Sequence, residues 1–575
     1  MKHQVIMTMS VNKSRSSTSE QINRRVDAAM GRIPCDLVLK NARYLDVFSC
    51  EWRQGEVAVL DGIIVATDPG LKGRREVDVK GKWVVPGFID AHVHLESSLM
   101  VPENFERAVL PRGTTTAICD PHELANVLGV HGIQYFLKQS ERLRMDLRVM
   151  LSSCVPATHM ETNGGGTIYA RDLVPLRSHP NALGLAEMMN FPGVLHGDAH
   201  VLEKLEAFSD GRIDGHAPLV RGNALSAYIA AGVSSCHESS QKEEALEKLS
   251  KGMAVWIREG SVAKDLHELA PLLNLARSSS LGFCTDDRNP LDIAREGHID
   301  YLIRSAIAQG VAPEVAYRAA SWSVARHYGL VNAGAIAPGK TADLVILSDA
   351  ATCTVEQVFR AGQDVSNLDG LTIERDPRAW GSVKARAPEM ADLEGPSGRV
   401  HVIGVEPGKI LTSRHVRGHD DPGVARFSVL ERYGNGQPPA NGYAQGFGEN
   451  FRGAIAASVG HDSHNLTVVG SNSKDMRVAL AALIQSGGGF CVVKDGQVQA
   501  KLDLPIGGLM SSEEPAKIVK GLEALRAASR GVGCALEEPF LQLAFLCLPV
   551  IPSLKLTDRG LVDVDQFKII DVRAS

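Results

Sequence analysis

Apolar and polar positions change their period twice along the chain, and each change marks a new kind of element. From Asp36 to Val85, LVLKNARYLDV, EVAVLDGIIVAT and REVDVKGKWVV alternate or run apolar over short stretches, and Asp61-Gly62 is a hairpin turn signal. This reads as a small β unit, and its pattern resumes at GAIAPGKTADLVILS, residues 334–348. In between, short apolar runs alternate with helical stretches such as Leu124 to Gln139 and Asn223 to Ala231. The runs are Phe88 to His94 and those at 114–121, 148–157, 182–190, 213–218, 234–240, 254–261 and 282–288. Eight strand–helix units predict a (β/α)8 barrel, with its chemistry at the C-terminal ends of the strands. No Gly-x-Gly-x-x-Gly turn supports a doubly wound sheet instead. Beyond residue 398 the stretch GHDSHNLTVVGSN over 460–472 is followed by a helix over 476–488, a hairpin over 490–505 and a helix over 514–530, which predicts an additional C-terminal α/β or α+β domain. The expected division is a partly ordered leader over 1–32, a β domain from 33–85 plus 333–385, a catalytic barrel over 86–332 and the C-terminal domain over 398–575.

Length and composition narrow the function classes. At 575 residues the chain exceeds one core. A net charge of −6 with no Lys/Arg cluster gives no field for nucleic acid. No apolar run is long enough to span a bilayer, and the first 25 residues lack a signal-peptide apolar core. The expectation is therefore a cytoplasmic enzyme with no nucleic-acid or membrane partner. The ten cysteines form no Cys-x-x-Cys pair, so any metal is expected on nitrogen and oxygen.

Such nitrogen and oxygen ligands concentrate in PGFIDAHVHLESSLM, residues 86–100. His92 and His94 are two apart on a strand, so both imidazoles leave it on one side, which is a grip for a divalent metal. An isolated His-x-His is more often simply buried; here Asp90, Glu96 and the Pro86-Gly87 break argue for ligands. The stretch resembles the first metal-ligand strand of the amidohydrolase superfamily. With Leu95-Glu96-Ser97-Ser98 it is similar to the adenine deaminase family within it. The resemblance extends through Cys119-Asp120-Pro121-His122-Glu123 and covers nearly everything from residue 33 onward, and it implies a composite β-sandwich for the split β unit.

Further metal-competent residues end the other proposed strands: Glu187 on the fourth, His216 on the fifth, His237 on the sixth and Asp286 on the eighth. With His92 and His94 they read as a binuclear site. His92, His94 and Asp286 are expected on one metal, His216 and His237 on the other, with Glu187 bridging, an arrangement suited to two-metal hydrolysis. Many amidohydrolases carry a carboxylated lysine at the fourth strand; Glu187 in its place resembles the adenine deaminase pattern. The His-x-x-Glu of mononuclear purine nucleoside deaminases is missing, because Pro218 and Leu219 follow Ala217, so ring protonation must come from elsewhere. Asp286, Glu187 and His237 are the expected catalytic group, with Asp286 carrying protons. Asp120, Glu123, Arg258 and Ser98 are candidates for substrate binding. Arg258 is equally a candidate structural ion-pair partner, and Asp120 and Glu123 a turn and a helix start. Asp287 is expected to cap the helix that begins at Asn289-Pro290, and Asp462, Ser463 and His464 to form a lid or turn.

The resemblance implies hydrolytic deamination of adenine to hypoxanthine and ammonia, in purine salvage, by a hydroxide held on two divalent metals. Manganese or ferrous iron fits the sulfur-free ligand set best and zinc is compatible. The partner is a small-molecule purine base, and a homo-oligomer, a dimer, is expected. Competing readings are a cyclic amidase of the same superfamily, deamination of a modified aminopurine, and a barrel scaffold without chemistry. The cyclic amidase is disfavoured by Glu187, and the inert scaffold by retention of all six ligands.

Overall fold

The computed structural model describes residues 18–574 except 367 and 369–371. Residues 1–17 of the expected leader lie outside the described residues; the helix expected within it spans Ser19–Ala29, opened by a Thr18–Gln21 capping box.

The split β unit is a single eight-stranded sheet. Its central strand Trp83–Pro86 pairs with Leu344–Asp349, which binds the chain entering the barrel to the chain leaving it. Along Cys35–Asp46, Leu37 and Leu39 belong to one apolar cluster and Val38 to another, as alternation across a strand requires. Asp61 and Gly62 both have positive φ (51° and 75°), the backbone of a tight hairpin turn between Glu51–Leu60 and Ile63–Ala66.

All eight barrel strands form where the apolar runs predict them. Phe88–Val93, Thr114–Cys119, Asp146–Leu151, Ala182–Met188 and Arg212–Gly215 pair in parallel, as do Ser235–Cys236, Ala254–Arg258 and Leu281–Cys284. Ser234 N donates to Ile213 O at 2.9 Å, joining the two groups. The ring closes where Asp286 N donates to His92 O (3.0 Å) and His94 N donates to Asp286 O (3.3 Å). Asp90 holds that seam: its Oδ1 accepts from Thr285 N (3.1 Å) and its Oδ2 from the Thr285 hydroxyl. The helix expected over Leu124 to Gln139 is two helices, His122–Leu128 and Val130–Ser140. Gly129 breaks it, at φ 65° and ψ −145°, where the Gly165 carbonyl oxygen lies only 3.1 Å from the place a Cβ would occupy.

The C-terminal unit is built on an eight-stranded, mostly antiparallel sheet. The helices Ser473–Ser486 and Pro515–Gly531 and the hairpin Gly489–Lys494/Gln497–Asp503 match the pattern. Its strands between Arg399 and Ala457 are a feature the pattern reading did not resolve. This unit packs on the strands' C-terminal ends: Ser511 N donates to Leu99 O, Asn465 Nδ2 to Thr162 O and Thr557 Oγ1 to Met160 O, at 2.6–2.9 Å. Among the described residues no helix is long and apolar enough to cross a membrane.

Candidate metal centre at the barrel mouth

Residues at the C-terminal ends of the first, fifth, sixth and eighth barrel strands gather around Glu187 on the fourth. This carboxylate, 2% exposed, stands one residue before the end of the strand Ala182–Met188 and splits its two oxygens between two groups of histidines. Oε1 lies 3.2 Å from His94 Nε2 and 3.8 Å from His92 Nε2. Oε2 lies 2.7 Å from His216 Nδ1 and 3.3 Å from His237 Nε2. Asp286 Oδ1 completes the first side, 3.1 Å from His94 Nε2 and 3.6 Å from His92 Nε2. All six residues named from the sequence are therefore brought together. Only His216 among them has a partly open side chain, at 26% exposure.

Supporting contacts fix the rings. His94 Nδ1–H donates to the Asp120 carbonyl at 3.0 Å, which leaves Nε2 facing the centre. The His92 and His237 rings stack at 4.0 Å and 13°. His92 Nε2 and His94 Nε2 stand 3.1 Å apart in a buried site. Two imidazole nitrogens so placed converge as ligands of a cation do. A set of buried imidazoles and carboxylates, such as His92, His94 and Asp286 or His92, Glu187 and His237, fits a divalent ion of borderline or hard character.

The electrostatics are those of a site built for positive charge. Burial alone would raise the Glu187 carboxyl, but the charge of His216 and hydrogen bonds from His122, His216 and His237 hold it well below its usual range. Asp286 is likewise held low against burial by His92 and His94 and by the charges of His237 and Arg258. His94 is raised well above its usual value, burial and the His122 charge being outweighed by Asp286 and Glu187.

Three residues at the centre escaped the sequence reading. His122 Nδ1 lies 3.3 Å from Glu187 Oε1 and 3.2 Å from Asp120 Oδ2. Glu238 Oε1 lies 3.6 Å from His237 Nε2 and 3.8 Å from His216 Nδ1. His461, from the C-terminal unit, reaches Glu123. His122 and Glu238 each adjoin a residue the strand ends had flagged, which was the available signal; nothing local marks His461.

The four substrate candidates have partners within the protein. Asp120 Oδ1 accepts from the Ser152 hydroxyl at 3.0 Å. Glu123 faces His122, His461 and His464. Arg258 is an ion-pair hub, with Asp265 at 3.0 Å, Asp286 Oδ2 at 3.1 Å and Glu238 in contact. Ser98 donates to Leu95 O at 2.6 Å within its own turn. Asp287 does not cap the following helix. The cap of Pro290–Arg295 is Asn289, whose Oδ1 accepts from Leu291 N and Asp292 N; Asp287 lies too far upstream and accepts from Ser97.

Comparison with known proteins covers the chain almost end to end. Residues 83–365 match the amidohydrolase family and residues 409–568 the adenine deaminase C-terminal domain. Adenine deaminase of Sinorhizobium fredii is 51% identical over 567 residues, 96% of this chain and 100% of that protein. Adenine deaminase 1 of Rhizobium meliloti is 51% identical over the same shares. Adenine deaminase of Cereibacter sphaeroides is 52% identical over 95% of this chain and 98% of that protein.

Proposed function

The chain belongs to the adenine deaminase family of the amidohydrolases, and from that premise we propose that it hydrolyses adenine to hypoxanthine and ammonia at the Glu187 centre. The observation that carries a two-metal site is the division of Glu187: Oε1 faces His92 and His94, Oε2 faces His216 and His237. His92, His94 and Asp286 would hold one ion and His216 and His237 the other. Such ions, when bound, make water a competent nucleophile near neutral pH and stabilise developing negative charge. The nitrogen and oxygen donors favour manganese or ferrous iron, with zinc compatible.

The chain's own residues do the rest. Asp286 is ionised and holds one oxygen toward the histidines while Arg258 fixes the other, so Oδ1 can take the proton released as water oxygen bonds to C6 and the C6=N1 π bond opens onto N1. That same proton goes to the exocyclic nitrogen as the C6–N bond to it breaks and ammonia leaves, and the second water proton ends on N1 as the C6 carbonyl of hypoxanthine forms. Burial of all but His216 keeps bulk water from competing. Glu187 at the fourth strand, in place of a lysine, leaves a cyclic amidase reading unfavoured.

We extend the proposal to the architecture and setting. The division at about residues 33–85 plus 333–385, 86–332 and 398–575 follows the sheets. All ten cysteines are free, nine of them buried, which suits a reducing cytoplasm. The test is ammonia release from adenine, and from a panel of other aminopurines, by protein of measured metal content. Adenine as the preferred substrate is the expected result; no release at full metal loading contradicts it.

A further inference from the structure

One loop of the C-terminal unit reaches into the barrel mouth, and it carries two histidines. His461 Nδ1 lies 2.8 Å from Glu123 Oε1. His464 Nε2 is paired with Glu123 Oε2. Gly460 N–H donates to His464 Nδ1 at 3.3 Å, so the ring proton stands on Nε2, the nitrogen facing Glu123. Each oxygen of one buried carboxylate is thus met by an imidazole from a different unit of the chain.

The loop is held as a positioned element. Arg432, 0% exposed, donates to His464 O (3.1 Å) and Gly507 O (2.8 Å), and its backbone N–H donates to Asn465 Oδ1 (3.2 Å). The His461 ring stacks on Phe545 at 4.7 Å and 18°. His464 has φ 52°, a left-handed conformation that a non-glycine residue keeps only where its surroundings impose it. The Glu123 Oε1 that His461 meets also stands 3.5 Å from His122 Nε2, and His122 Nδ1 faces Glu187 Oε1 at 3.3 Å. The C-terminal unit is therefore connected to the central carboxylate through two side chains, Glu123 and His122.

We propose that His461 and His464 are positioning residues of the deaminase site: they fix the Glu123 carboxylate and, through it, His122 beside Glu187. The C-terminal unit is then a working part of the centre. The proposal rests on the functional reading given above.

Isosteres supply the test. An asparagine amide places N–H near imidazole Nδ1, and a glutamine amide near Nε2. His461→Asn and His464→Gln therefore keep the donor in place, whereas His461→Gln and His464→Asn displace it while preserving polarity. Metal content, kcat and KM for adenine are measured on full-length variants. The matched variants should keep kcat within the native order of magnitude. The mismatched ones should lose about 100-fold in kcat, the scale of a small misplacement in a site, at native metal content. In a Glu123→Gln background the mismatched changes should cost little more, because they act through Glu123. Native kcat in the mismatched variants overturns the proposal, as does equal damage from matched and mismatched changes or full additivity with Glu123→Gln. A native enzyme inactive on adenine overturns the functional reading itself, whereas an active native enzyme with active mismatched variants overturns only the positioning role.

Discussion

At the residue scale Glu187 faces two groups of candidate ligands with separate oxygens, Oε1 toward His94 and Oε2 toward His216. Glu187→Gln preserves shape and removes charge, so it should lower metal occupancy and turnover together, measured by elemental analysis and ammonia release on one sample. Retention of both ions and most of the rate would remove it from the bridge. Asp286→Asn should lower kcat by roughly two to four orders of magnitude, the range general acid–base catalysis supplies. Asn289→Ala, by contrast, removes a helix cap and should cost about 0.5–2 kcal/mol of stability with kcat nearly intact. Glu106 gives a pH test away from the metals. Burial raises its carboxyl to about 7, against a hydrogen bond from Met145 N at 2.7 Å. A raised carboxyl contributes most below its unfolded pKa, and that contribution is lost as pH rises from about 4.5 to about 7. Glu106→Gln should therefore stabilise the protein at pH 8 by up to about 3 kcal/mol, and by nothing near pH 4, in urea unfolding of variant against native. An equal difference at both pH values would place the charge elsewhere.

At the scale of elements, the barrel was legible because each strand is a short apolar run ending in a polar residue, and register then puts those ends on one rim. The helix break at Gly129 was not legible, since the apolar period runs straight through it and the reason is a close approach of Gly165. The cap before Pro290 was misplaced for a similar cause: Asp287 and Asn289 are both cap-competent residues, and only the contact with Ser97 separates them. The element that matters most to the site is the seam between the first and last strands. Thr285→Val removes the hydroxyl from Asp90 Oδ2 and leaves a buried carboxylate oxygen short of a donor, which should cost about 1–3 kcal/mol. Because Asp286 follows directly, metal affinity should weaken in parallel, as a chelator titration would detect.

For the whole molecule, the sequence showed the parts of the centre carried by the barrel strands and hid the part that depends on packing between units. His92, His94, Glu187, His216, His237 and Asp286 could be named because a fold with strand ends on one rim makes them neighbours. His464 was read only as part of a lid or turn and His461 not at all, because only the seating of the C-terminal unit on the loops after the first and third strands brings them to Glu123. The central claim is a two-ion centre divided by Glu187, and titration of metal-free protein tests it most directly. Manganese or ferrous ion is added in measured equivalents while ammonia release from adenine is followed. Activity should rise until two ions are bound per chain and then stay level; full activity at one ion per chain would contradict the account.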